Sequence, residues 1–258
     1  MRFAGLALAM GLQIFGPVDG FAEQGPAGGD EERPRVELSI YGWASSVTGT
    51  VPTLPGEPNQ DVDDSFLDIL ENFDFGAMAR GTARWRNWSV YADMVYSDLS
   101  EHGASEVPGY STYKFNTETF IGTALGGYQI LDGEGWSLDA LGGLRLMYVD
   151  NELDLRPGPN PPLHVEDEET WVDPILGFRG LWTFWRNARA ELLFDVGGFG
   201  IGSDVTYELF AGLDAPVIES ERLRLYVGYR LLGVDYENDG YKYDVFYSGP
   251  VLGAVFAL

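Results

Sequence analysis

The sequence contains no cysteine, which excludes a disulfide framework and any cysteine-ligated metal site. Histidine is nearly absent as well, with two residues, and 16 lysines and arginines stand against 40 aspartates and glutamates, for a formal net charge of -24 at pH 7. Such a balance excludes a nucleic-acid partner, because no basic stripe exists to neutralise phosphates. Past the N-terminal stretch, no segment reads as a membrane-spanning helix. What the chain does have is apolar bulk: 258 residues, 45% of them hydrophobic and 14% aromatic, enough for one large folded unit and too much for disorder.

Residues 1–22 carry Arg2, an apolar run from Phe3 to Phe15, and small residues Gly20 and Ala22 at a plausible cleavage point. This layout is that of an export signal. The run is short for a bilayer crossing and is interrupted by Gly11, Gly16 and Pro17, which argues against an uncleaved anchor. Arg2 and Asp19 cancel, so removal of the signal leaves the net charge unchanged. Residues 23–35, rich in Gly, Pro and charge, read as a flexible leader. A single β-barrel is expected over 36–258.

From Val36 onward, alternating segments separated by turns predict ten strands, over 36–48, 73–85, 88–99, 113–130, 136–150, 169–183, 188–200, 204–214, 222–236 and 241–258. Boundaries shift by a few residues in such readings, so eight and twelve strands stay open. The fold class is all-β, a closed antiparallel transmembrane barrel. Short turns are expected at Arg86 and Asn87, Asp132 to Gly135, Arg186 and Asn187, and Pro216 to Ser220; longer loops over 50–72, 100–112 and 151–168 would lie outside the cell. A short helix is expected in the first of these, with Phe66, Ile69 and Leu70 on one face.

Tryptophan favours the headgroup level of a membrane. Trp85, Trp88, Trp136, Trp182 and Trp185 all fall beside the short turns and are read as one aromatic girdle, with Tyr96, Tyr113, Tyr148, Tyr236 and Tyr241 near the opposite strand ends as a second. Strand parity divides the faces. In 73–85, Phe73, Phe75, Ala77, Ala79, Ala83 and Trp85 share one side, while Asp74, Met78, Arg80, Thr82 and Arg84 share the other.

Charge inside a membrane is costly against lipid, so the charged parity must point inward. The expected interior network is Arg80, Arg84, Asp93, Glu118, Asp139, Arg145, Asp173, Arg179, Arg189, Glu191, Asp195, Glu208, Arg222, Arg224 and Arg230. It reads either as a salt-bridged plug or as a lined pore, with the plug favoured because small barrels have little spare interior. The paired glycines Gly126–Gly127, Gly142–Gly143 and Gly197–Gly198 are expected to relieve crowding. Pro174 and Pro250 lack a ladder donor and call for a bulge or break.

Two features could carry chemistry. His102 and His164 lie near Glu101 and Glu166, a pairing that could serve a general base, but both are expected to be solvent-exposed bystanders and no catalytic residue is assigned. The run Asp61 to Asp64 lacks the spacing and distal glutamate of an EF-hand and would hold calcium only adventitiously. No cofactor and no metal site are expected.

The ending Gly253-Ala254-Val255-Phe256-Ala257-Leu258 and the stretch from Ser65 to Phe75 resemble segments of small bacterial outer-membrane β-barrel proteins, many of them uncharacterised. The resemblance covers about Val36 to Leu258. It departs at the last position, where the family usually has an aromatic residue and this chain has Leu258. It implies insertion by the outer-membrane assembly machinery, contacted through the terminal strand, and outer-membrane lipid and lipopolysaccharide as surroundings. The leading expectation is a structural barrel or a narrow passive channel for small polar solutes, without enzymatic activity. The alternatives are a barrel enzyme acting on lipid or peptide, and an adhesin using acidic loops.

Overall fold

The computed structural model describes residues 34–51, 60–105, 107–217 and 222–258. The export signal expected over 1–22, and nearly all of the leader expected over 23–35, lie outside them. The described elements are β1 (Arg35–Trp43), β2 (Ser46–Val51), β3 (Gln60–Asp64), α1 (Phe66–Glu71), β4 (Phe73–Trp85), β5 (Trp88–Ala104), β6 (Tyr110–Gly133), β7 (Trp136–Pro157), β8 (Leu163–Thr183), β9 (Arg189–Gly198), β10 (Val205–Pro216), β11 (Leu223–Asn238) and β12 (Tyr241–Ala257). β1 and β4 to β12 form an antiparallel ten-stranded barrel, closed where β12 pairs with β1 from Glu37↔Ala257 to Trp43↔Val251. β2 and β3 stand outside the ring: β2 continues along β12 beyond the end of β1, and β3 pairs with β2.

Ten barrel strands agree with the ten segments read from the sequence, and the largest differences are at one end of the barrel. The loops expected over 100–112 and 151–168 are mostly strand. β5 and β6 pair as far as Ala104↔Thr112, and β7 and β8 as far as Leu155↔Leu163. Acidic residues repel one another whatever the backbone does, so a charge-rich stretch reads as loop although the ladder continues through it. β5 to β8 therefore rise as a wall well above the β9–β10 hairpin, whose pairing stops at Val205↔Gly198.

At the opposite end the turns are tight. Arg86, in the two-residue connection after β4, and Arg186 and Asn187, at the tip of the longer connection after β8, all have positive φ, as tight reversals demand. Asp239 and Gly240, at the tall end, form another such turn with φ of 47° and 93°.

Both prolines sit where a donor is dispensable. The Pro174 carbonyl points at Gly197, the β9 residue next to which β8–β9 pairing begins at Ile175, so the missing N–H lies at the end of the ladder. Pro250 lies opposite the break between β1 and β2, where its carbonyl accepts from the Ala44 N–H at 2.9 Å. Beside it, a Cβ on Gly249 would stand 2.0 Å from the Ala44 carbonyl oxygen, and one on Gly143 would stand 2.0 Å from that of Ala124. The crowding expected at paired glycines is thus present at Gly143.

The short helix is α1. Ser65 caps it, with Asp68 completing a reciprocal capping box. Ile69 is buried in the apolar cluster that also holds Val47, Val51 and Val62, whereas Leu70 is exposed rather than sharing that face. The acidic run Asp61 to Asp64 belongs to β3, and Asp61 accepts from the Thr50 hydroxyl at 3.0 Å. Gly249→Val should shift the β1–β2 break and destabilise the barrel by about 2–3 kcal/mol, measured as a lower urea midpoint in detergent; an unchanged midpoint would show that the approach there is soft.

Candidate functional site: the charged interior and the acidic wall

Strand alternation gives the barrel two chemically distinct faces. Outward side chains at mid-height are apolar and exposed: Leu38, Ile40, Val90, Leu144, Leu176, Phe178, Leu192, Leu225, Val227 and Leu252 are each 49% or more accessible. On β12 the band runs from Phe246 to Phe256, which corresponds to about 25 Å of height for a strand tilted by roughly 40°. Trp85, Trp88, Trp136, Trp182 and Trp185 are all exposed at the short-turn edge of the band. At the other edge, Phe75 packs with Tyr96 and Tyr207 with Phe246.

The second girdle needs correction. Tyr236 and Tyr241 are buried inside, where Tyr236 stacks on Trp171 with ring centroids 4.1 Å apart, and Tyr113 donates to Glu101 on the inner parity. Phe73 also differs from expectation: a bulge between Phe73 and Phe75 packs it against the core and leaves Asp74 exposed.

Inside, one ionic chain crosses the barrel. Arg80 pairs with Asp93 at 3.0 Å, Asp93 with Arg230 at 3.1 Å, Arg230 with Glu208 at 2.9 Å, Glu208 with Arg145 at 2.8 Å, and Arg145 with Asp195 at 3.0 Å. Signs alternate along it, so each carboxylate between two arginines meets both. Tyr41 donates to Asp93 at 2.7 Å, and Arg145 donates to Thr206 and Thr123. Aromatic rings cover the flat faces of the guanidinium groups: Arg80 lies 4.5 Å from the Tyr91 centroid and Arg230 4.8 Å from that of Trp43.

A second tier sits nearer the short turns. Arg179 pairs with Glu191 at 2.7 Å, Arg84 with Asp139, and both Arg189 and Arg224 with Asp214, a carboxylate the sequence reading did not single out. Asp173 accepts the Ser203 backbone N–H at 2.6 Å, which ties the β9–β10 hairpin to β8. Arg145, Arg224 and Arg230 have no accessible surface, so the interior at their level is filled by side chains.

Two residues expected in this network are elsewhere. Glu118 has the outward parity of β6, between the buried Thr117 and Thr119, and accepts from Tyr96 at 3.2 Å. Arg222 precedes β11 and is exposed at the short-turn end. Placing Glu118 by its charge instead of its parity caused the first error; the second came from starting β11 one residue early.

Glu118 belongs to an outward row just beyond the apolar band, in which Asp98 faces Glu118, Glu118 faces Asp150, and Asp150 faces Glu168 across successive strands. Partial burial and then the neighbouring carboxylates hold the pKa of Asp98 and Asp150 above the usual range. Further out, His164 approaches Asp154 at 2.9 Å, and that hydrogen bond raises its pKa. His102 is exposed and faces Lys114 across the ladder, while its chain neighbour Glu101 points to the opposite face.

A comparison with protein-family models finds no match, and a comparison with the curated proteins finds none either.

Removing one member of the central chain strands its partners without solvent. Arg230→Ala should lower stability by about 3–5 kcal/mol, whereas Arg222→Ala should change it by less than about 0.5 kcal/mol, both measured by urea unfolding in detergent. The outer row gives a pH dependence. A raised carboxylate pKa means that the folded wall binds protons more tightly than the unfolded chain, so its contribution is favourable at low pH and is lost as pH rises through the raised value. The unfolding temperature of Glu118→Gln should therefore fall less than that of the parent between about pH 4 and pH 7, and the difference should shrink in high salt.

Proposed function

We propose that the protein is exported and inserted in the bacterial outer membrane as a sealed, non-enzymatic barrel that holds a tall β-wall outside the cell. One observation carries this reading: among the described residues, the outward face between the tryptophan edge and the carboxylate row is an unbroken uncharged band around the closed ring. A patch that size is far larger than soluble monomers expose, and its height fits the hydrocarbon thickness that such barrels span. Tryptophans at one edge suit a headgroup level, and the short turns there would face the periplasm.

The inner face supports a plug over a pore. A passive channel needs a continuous water path, and here six charged side chains from six strands close on one another at the middle of the barrel. Trp43, Trp171, Tyr243 and Tyr247 fill the space on one side of that chain, and α1 with β2 and β3 adds Ile69, Val47, Val51 and Val62. The role that follows is structural: a membrane anchor whose exposed working surface is the wall of β5 to β8. Insertion would use the outer-membrane assembly machinery, with β12 as the contact, since β12 makes the closing pairs. Lipid and lipopolysaccharide would surround the band.

Reconstituted into planar bilayers, the protein should give no discrete conductance steps, while Arg145→Ala combined with Arg230→Ala should admit ions if the barrel stays folded. Steps from the unaltered protein would overturn the sealed reading. Recovery of the expressed chain in the soluble fraction of cells would overturn the membrane reading.

A further inference from the structure

Among the described residues, one mixed nitrogen and oxygen donor cluster stands apart from the interior network. The β7–β8 register sets Asp154 opposite His164 and Glu152 opposite Glu166, all on the outward face of the wall. One ligand atom each from Glu152, Asp154 and His164 lies within 4.8 Å of the other two. His164 Nδ1 is 2.9 Å from Asp154 Oδ1 and 3.7 Å from Glu152 Oε1. Donors bound at about 2.1 Å to one ion stand roughly 3.0–3.4 Å apart in octahedral or tetrahedral arrangement, so these spacings nearly bracket a coordination sphere before any ion enters.

We propose that Glu152, Asp154 and His164 form a binding site for a divalent transition-metal ion of the zinc type on the outer wall.

Two neighbours orient the ligands. Asn116 donates to Glu152 Oε2 at 3.2 Å, which leaves Oε1 turned toward His164. Glu166 Oε2 lies 4.0 Å from His164 Nε2, so when Nδ1 takes the metal, the ring keeps its proton on Nε2 and points it at a carboxylate. That metal, histidine and carboxylate relay is a recurrent outer-shell device. A proton held between Nδ1 and Asp154 passes to solvent as the ion binds.

The donor set also selects the ion. One imidazole with two carboxylates suits zinc-type ions, whereas calcium and magnesium prefer oxygen alone. Asp150 and Glu168, two residues nearer the barrel along each strand, add a field that attracts cations, and Lys114, paired in register with Asp154, opposes it. The ligands come from two strands locked in one ladder, so little ordering is needed on binding. The site stands whether or not the barrel is membrane-inserted.

The test is calorimetric titration of the untagged full chain in detergent with zinc chloride, in the presence of excess calcium. One equivalent should bind. His164→Ala and Asp154→Asn should each weaken binding at least tenfold, Asn116→Ala should weaken it severalfold, and His102→Ala should leave it unchanged. A second measurement on the unaltered protein, cobalt absorption together with the ring nitrogen shifts of labelled histidine, should place the ion on Nδ1 of His164. Absence of zinc binding, binding that survives His164→Ala, displacement by calcium, or an ion on His102 would each overturn the site; the third would mark a diffuse counter-ion atmosphere around the carboxylates.

Discussion

The seam between β1 and β12 is the contact on which the rest depends. A strand satisfies its backbone groups only with a neighbour on each side, and a sheet satisfies all its strands only by closing. Once Glu37 to Trp43 pair with Val251 to Ala257, inside and outside become separate environments, and strand alternation assigns every residue to one of them. Arginines and carboxylates on one parity are then forced into a space a few side chains wide. The central chain from Arg80 to Asp195 follows from that confinement: opposite charges alternate because any other order would bury an unmatched ion.

That interior is a poor source of net stability and a strong source of specificity. Desolvating each ion offsets most of the attraction between partners, so the favourable terms lie in the backbone ladders and in the packing of Trp43, Tyr91, Phe210 and their neighbours around the guanidinium groups. The ions instead penalise register slips. Sliding β11 by one residue would send Arg230 outward and leave Asp93 and Glu208 without it.

Much of this was legible in the sequence because period-two alternation and tight turns are local signals. The strand segments and most of the interior residues follow from parity, and the five tryptophans from their places beside the short turns. Glu118 did not, because its charge outweighed its position in the count. Phe73 did not, because a bulge changes parity without leaving a mark in composition. The tall wall was hidden because its density of charge reads as loop, although Glu152 and Asp154 alternate with the buried Leu153 and Leu155 as a strand requires. The Glu152, Asp154 and His164 cluster depends on cross-strand register, which joins residues ten apart through a turn that the sequence does not locate.

The difference in strand height has one more consequence. β9 pairs with β8 only from Ile175 onward, so the stretch of β8 from Leu163 to Pro174 presents one lateral edge without a ladder partner among the described residues. Such an edge invites strand addition from another chain. It carries Glu166, Asp167, Glu168 and Glu169 in succession, and an identical edge brought alongside would meet like charge at each of those positions. The acidity that makes the wall electrostatically uneasy thus also opposes the zipping of neighbouring copies through that edge.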